Sequence, residues 1–318
     1  MEKIIVPDLV IKSSSGGEVK IPVIGFGTAV FPPMELETKE AIIEAMKLGY
    51  RHFDTASVYL IEHVLGQAIS EAISMGLIQS RAQLFITSKL WCGDAHHDRV
   101  IPAIQKTLKN LRMDYLDQYL IHWAVALKPS EPNFVFSRDD VIPLDIKSVW
   151  EKMEECQTLG LTKTIGVSNF SCKKLQTLLA TAKIPPAFNQ VELNPVWQQR
   201  KLREFCKEKG ILITAYSPLG GKGSIWGTNR VMENDVLKQI AEAKGKTVAQ
   251  VCLRWAYEQG ICFVMKSFNK KRMQENLDIF DWSLTPNELL LIDQIPQQRS
   301  YGGQHFCSSA QEFWDGEI

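Results

Sequence analysis

The chain has no excess of either charge: Lys and Arg together number 36, and so do Asp and Glu, across 318 residues. A balanced surface carries no electrostatic footprint for a polyanion, so nucleic acid is not expected as a partner. Long apolar runs are missing too. None approaches the ~20 residues that a membrane helix needs, so no membrane association is expected. The opening Met1-Glu2-Lys3-Ile4-Ile5 lacks a continuous apolar run and a small-residue cleavage site. Without a secretory leader, the cytoplasm is the expected compartment. The seven cysteines, Cys92, Cys156, Cys172, Cys206, Cys252, Cys262 and Cys307, are odd in number, scattered and without a Cys-x-x-Cys pair. That pattern fits reduced thiols rather than a disulfide framework or a zinc site. Only His96 and His97 adjoin among the histidines, and no metal is expected. A Gly-x-Gly-x-x-Gly phosphate turn is lacking as well, since Gly25 and Gly27 are followed by Val30, and Gly221 and Gly223 by Trp226. This argues against an open, doubly wound dinucleotide fold. No composition shift or low-complexity linker divides the chain, so one domain over 1–318 is expected.

What the sequence does have is alternation. Short runs rich in β-branched and aromatic residues read as buried strands at Tyr50–Asp54, Leu84–Lys89, Leu116–His122, Thr164–Val167, Phe188–Val191, Ile211–Tyr216 and Ile261–Lys266. Helical segments lie between them. Glu40–Leu48 stops at Gly49 and Val149–Leu159 at Gly160, both suitable C-caps. Ser171 and Thr247 are placed to open two further helices, the second closed by Gly260. Strand spacing is often ~30 residues, the size of one βαβ unit. Seven such strands, with a short eighth near Phe280–Trp282, predict a single (β/α)₈ barrel, the TIM-barrel fold. Val10–Gly27 reads as an N-terminal β-hairpin turning at 14–17. A long proline-containing loop joins Trp123 to Ile146. After Pro296 a long C-terminal loop has no helical period and carries Tyr301, Phe306, Phe313 and Trp314.

Polar residues at the C-terminal ends of barrel strands face the mouth where barrel enzymes react. Those ends are Asp54, Lys89, His122, Ser168-Asn169, Gln190, Tyr216-Ser217 and Lys266-Ser267. Each has a plain alternative reading. Asp54 before Thr55 would serve as a helix cap, Lys89 as a solvated strand end, His122 as a satisfied core histidine and Tyr59 as packing. Together the four make a proton-donating set. A phenol near pKa ~10 is too weak an acid for efficient work at neutral pH, and an ammonium beside it is expected to lower that value. Lys89 supplies the charge, Asp54 holds the lysine, and His122 orients a substrate oxygen. The set contains no nucleophile–base pair for acyl transfer. It suits protonation of an oxygen that turns negative when hydride reaches its carbon. Glycoside hydrolysis would need two carboxylates at strand ends, and only Asp54 qualifies clearly, with Glu192 a distant second.

Ordered motifs carry a resemblance. They are Gly25-Phe-Gly-Thr28, Gly49-Tyr-Arg-His-Phe-Asp-Thr-Ala56 with Tyr59 and Glu62, Ser88-Lys-Leu-Trp91 and Tyr119-Leu-Ile-His-Trp123. Further on come Ile165-Gly-Val-Ser-Asn-Phe170, Asn189-Gln-Val-Glu192, Ala215-Tyr-Ser-Pro-Leu219, and Lys266-Ser-Phe-Asn with Arg272, Glu275 and Asn276. From about Ile21 to Trp282 the chain resembles the aldo-keto reductases, (β/α)₈ oxidoreductases that use NADPH and act as monomers. The resemblance implies Tyr59 as the acid, supported by Asp54 and Lys89, with His122 at the substrate carbonyl. It implies Ser168, Asn169 and Gln190 on the nicotinamide amide and Tyr216 stacked on its ring. Ser217, Leu219 and the 219–230 loop would cover the pyrophosphate. Lys266, Ser267 and Arg272 would take the 2′-phosphate, with Gly27, Thr28, Asp54, Phe268, Glu275 and Asn276 completing the cofactor set. A cationic fork beside a serine favours NADP(H) over NAD(H). Without the resemblance, Lys270-Lys271 and Arg272 would read as a solvated helix face.

The chain departs from the family pattern at Leu60-Ile61, where small polar residues are usual, and at Ala124 and Met265, where proline is common. The stretches Lys89-Leu-Trp-Cys92, Met153-Glu-Glu-Cys-Gln157, Asn169-Phe-Ser-Cys-Lys-Lys174, Phe280-Asp-Trp282 and Glu312-Phe-Trp-Asp315 resemble a plant branch of the family. That branch reduces ketones of specialised metabolism, including codeinone, chalcone-pathway polyketide and tropane ketones. Trp91, Trp123, Trp226 and Phe306 are the aromatic candidates for substrate contact. A pocket so lined suits a bulky ketone such as an alkaloid; a polyketide or a simple aldehyde stands as an alternative, and a non-catalytic NADPH-binding barrel is the reading from another class.

Overall fold

The structure, a computed structural model, describes residues 5–12, 17–224 and 227–317. Eight parallel strands close into a barrel: β1 (Ile24–Gly27), β2 (His52–Asp54), β3 (Phe85–Leu90), β4 (Leu116–Ile121), β5 (Thr162–Ser168), β6 (Phe188–Glu192), β7 (Leu212–Tyr216) and β8 (Cys262–Met265). Each strand pairs with the next, and β8 pairs back to β1 with Val264 opposite Gly25. The expected seven strands are all present. The eighth is a correction: it is Ile24–Gly27, whereas Phe280–Trp282 forms no strand. Two glycines in four residues concealed β1, because glycine weakens the β signal. The packing requires one of them. A Cβ on Gly25 would stand 2.7 Å from both His52 Nδ1 and Val264 Cγ1, so the barrel closes there only around a bare backbone. Trp282 instead lies outside the barrel, with the Lys246 and Arg254 cations over its ring.

The hairpin is shorter than expected, pairing Asp8–Lys12 with Glu18–Pro22; the first three residues of its turn lie outside the described residues. It plugs the barrel floor. Ile11 and Ile21 pack with Phe85, Phe188 and Cys262, the first residues of β3, β6 and β8. The opposite end, where Asp54, Lys89 and Ser168 sit, is therefore the open one.

Helices pack outside, and their ends follow local chemistry. Glu35–Leu48 starts five residues earlier than expected and ends on Gly49 at φ 109°, whose N–H donates to Ala45 and Met46 carbonyls. Ile146–Thr158 also starts early, N-capped by Asp145. Ser171 caps Cys172–Leu179, and Thr247 forms a reciprocal capping box with Gln250 at the start of Val248–Glu258. The C-terminal loop does contain one helical turn, Ala310–Phe313, too short for its period to register in sequence. Among the described residues no helix is long and apolar enough to cross a membrane, all seven cysteines are unpaired, and no cluster of metal-ligating side chains occurs.

Candidate active site

At the open end, β2 and β3 are neighbours with Asp54 opposite Thr87, which brings the ends of both strands together. Lys89 is fully buried, and its ammonium donates to Asp54 Oδ1 at 2.5 Å and to the Thr55 carbonyl at 2.9 Å. Asp54 is thus an ion-pair partner and not a helix cap. Its second oxygen accepts from Gln190 Nε2 at 2.8 Å. A one-turn 3₁₀ segment, Ser57–Tyr59, follows β2 and lays the Tyr59 ring beside this pair, 5.1 Å from Lys89 Nζ to the ring centroid. The His122 ring stands edge-on to Tyr59 at 5.6 Å and to Trp91 at 5.5 Å. The four residues therefore form one constellation.

Electrostatics corrects one expectation. The Tyr59 phenol is held well above its ordinary value, first by burial and then by the negative charge of Asp54. The raising effects of burial and of Asp54 decide the direction, although Lys89 lies 5.1 Å from the ring centroid. Burial also lowers the Lys89 ammonium, opposed by Asp54. His122 is pushed well below the histidine range by burial and then by Lys89, so its imidazole is neutral.

His52, sealed inside the barrel against Thr87 and the Pro22 carbonyl, is likewise lowered by burial, to about 4. Both histidines bind a proton more readily in the unfolded chain, near pKa ~6.5. Stability is then fully present above pH ~6.5 and lost as pH falls below it, by up to about 1.4 kcal/mol per pH unit for each histidine. For His52 the window runs from ~6.5 down to its folded value near 4. Urea midpoints should fall across this range and fall less steeply in His52→Gln; an unchanged slope would contradict the assignment.

A second group of side chains continues from Gln190. Ser168 Oγ donates to the Gln190 carbonyl at 2.8 Å, Asn169 Nδ2 donates to the His122 carbonyl at 3.1 Å, and the Tyr216 hydroxyl donates to Asn169 Oδ1 at 2.8 Å. Asn169 and Ser217 hold left-handed backbones, at φ 63° and 50°. Thr28 ties β1 to β2 through the Asp54 carbonyl. A third group lies apart, after β8. Asn269 caps the helix Lys270–Leu277, Ser267 and Asn269 bond each other, and Lys266 and Arg272 are exposed. Phe268 is exposed beneath the Lys266 cation, Glu275 is half-buried near Lys271, and Asn276 is buried. Gly27 and Leu219 are half-buried between these groups in sequence. The donor set matches NADPH: a flat ring fixed by its hydroxyl, buried amide and hydroxyl groups, then the exposed cations Lys266 and Arg272 near a helix N-terminus, where an anion is favoured.

The family model described as "Aldo/keto reductase family" matches residues 23–297. The chain belongs to that family. As a member it is an NADPH-dependent oxidoreductase. Curated plant relatives agree. The reductase is 59% identical to "(1S)-1,7-diacetoxy-luvungin A aldo-keto reductase" of Citrus sinensis, over 95% of this chain and 96% of that one. It is 55% identical to "Deoxymugineic acid synthase 1" of Zea mays, over 94% and 97%. Among solved structures, an aldo-keto reductase of Bombyx mori in complex with NADP superposes with a TM-score of 0.81 at 35% identity, over 93% and 96% of the chains. The aldose reductase of Schistosoma japonicum gives 0.86 at 34%, over 96% and 98%.

The mouth of the reductase is more aromatic than its sequence suggested. Trp91 and Trp123 flank His122, the latter stacked on it at 6.1 Å. Phe306 lies on Trp123 at 5.0 Å and on Phe136 at 5.3 Å. Trp226 lies outside the described residues. Phe134 was missed: its ring is parallel to Tyr59 at 6.4 Å and meets Trp91 at 5.4 Å. The apolar run Phe134-Val135-Phe136, set between polar residues on both sides, was the available signal. Glu192 has a different use from catalysis. Its buried carboxylate accepts the Ser300 and Tyr301 N–H groups and anchors the C-terminal tail. The far end of that tail is fastened by Asp315, which accepts from Ser171 and Lys174, and by Glu317, which accepts from the Cys172 N–H.

Proposed function

We propose that this protein reduces a ketone or aldehyde to an alcohol with Tyr59 as general acid, the whole chain serving as one cytoplasmic, monomeric catalytic unit. The observation that carries the reading is the fully buried Lys89–Asp54 pair facing the Tyr59 ring, with a neutral His122 edge-on to the same ring. NADPH supplies the hydride when bound. Ser168, Asn169 and Gln190 would hold its amide, and Tyr216 its ring. His122, being neutral, donates one N–H to the substrate oxygen and costs the site no buried charge. The Tyr59 hydroxyl then gives its proton to that oxygen. A raised phenol pKa does not block this step. The oxygen left after hydride arrival is an alkoxide, a stronger base than a buried phenolate, and the same shift keeps Tyr59 protonated at neutral pH. Lys89 afterwards faces the phenolate, and Asp54 keeps the lysine ionised.

The aromatic mouth supports a bulky apolar ketone such as an alkaloid, with a polyketide or simple aldehyde as the alternative substrate. NADPH absorbance loss over a panel of alkaloid ketones, polyketides and small aldehydes tests the assignment. Absence of turnover on all of them would leave a cofactor-binding barrel without chemistry. Preference for NADPH rests on Arg272 with Lys266 and Ser267. Arg272→Ala should weaken NADPH by about tenfold or more, the worth of a charge-assisted hydrogen bond, and NADH far less. Equal losses for both nucleotides would refute the 2′-phosphate role.

A further inference from the structure

Leucine is a poor residue for a left-handed backbone, because its Cβ crowds the carbonyl that follows. Leu60 nevertheless sits at φ 59° and ψ 22°, directly after Tyr59, with half of its surface open to solvent. Asn169 shows the inexpensive solution at a similar φ, since asparagine tolerates this region. Neither local geometry nor burial accounts for a leucine here, and an asparagine would relieve the strain. A second exposed apolar group touches the same site from another loop. Phe31 is 52% exposed, and its ring meets Phe134 edge-on at 4.3 Å; Phe134 in turn lies parallel to Tyr59. Val135 beside it is 84% exposed. Ring contacts therefore carry an apolar surface from the proposed catalytic tyrosine out to solvent, and the exposed Leu60 follows that tyrosine directly in the chain. Clustered exposed apolar groups beside a site mark a binding surface.

We propose that Leu60 and Phe31 are specificity-determining residues of an apolar rim outside the pocket, which takes the non-reacting hydrocarbon body of a polycyclic ketone while its carbonyl is at Tyr59. This rests on the carbonyl-reductase reading above. The rim selects substrates by how much apolar surface they extend beyond the reacting ring, whatever that ring's own fit.

The test is a size series of cyclic ketones, cyclohexanone, 2-decalone and a tetracyclic steroid ketone, with 4-nitrobenzaldehyde alongside to report reductase competence. In the wild type kcat/KM should rise at least tenfold from cyclohexanone to the best larger ketone. In Leu60→Asn and Phe31→Ser that ratio should fall about five- to tenfold each, the effect of losing one half-buried apolar contact. The melting temperature of Leu60→Asn should equal or exceed that of the wild type, a result that a merely structural leucine would not give. A flat wild-type size series, or a ratio that survives both substitutions, overturns the rim. Failure to reduce even 4-nitrobenzaldehyde would overturn the reductase reading itself, and the rim with it.

Discussion

Replacing Tyr59 by phenylalanine should lower kcat by roughly 10²–10⁴-fold, the range that a positioned general acid contributes, while NADPH binding stays within about twofold. The reasoning is geometric. Phenylalanine keeps the ring that Lys89 faces at 5.1 Å and that His122 and Phe134 contact, so packing survives and only the hydroxyl is lost. The proposed cofactor residues Ser168, Asn169, Gln190 and Tyr216 bond one another and do not depend on that hydroxyl. Loss should fall on kcat and kcat/KM together, as for a group used only in the transition state. Fluorescence titration of NADPH and steady-state reduction of 4-nitrobenzaldehyde would check both halves. Retention of more than a tenth of the wild-type kcat would remove Tyr59 from the role.

The second large effect concerns stability. Lys89→Met should destabilise the fold by about 3–5 kcal/mol, because it leaves the Asp54 carboxylate buried without its cation. Adding Asp54→Asn should restore most of that loss. An asparagine oxygen still accepts from Gln190, and methionine fills most of the lysine stem's volume. The double variant would be stable and inactive. Urea denaturation of the two single variants and the double completes the cycle. Additive losses, with no recovery in the double, would show that the pair is not coupled as its 2.5 Å contact implies.

How much of this was legible beforehand follows from which interactions are local. Seven strands declared themselves through β-branched runs, and caps at Gly49, Ser171 and Thr247 were readable because each acts on its own helix. Asp54, Lys89 and His122 were legible as strand ends because barrel topology alone brings such ends together. β1 was not, since Gly25 is required by contacts with His52 and Val264, far away in sequence. The sign of the Tyr59 shift was also out of reach. It depends first on how deeply the fold buries the phenol and then on how close Asp54 comes to it, which only the fold decides. Phe134 over Tyr59 and Glu192 under the tail are long-range contacts of the same kind.

Besides the Arg138 bonds to the Gln304 carbonyl, the tail is held at its two ends, and the placing of those two footings has a consequence for how the site can vary. Glu192 stands two residues beyond Gln190, while Ser171 and Lys174 stand two and five beyond Asn169, so the footings share short stretches of chain with the proposed cofactor floor. Between them, 302–311 carries Phe306 across the mouth while holding no part of that floor. Changes within this span would alter the proposed substrate wall alone, and changes at the footings would disturb wall and floor at once. On the function proposed above, substitutions in this one short window would change which ketones are accepted and leave the redox chemistry unchanged.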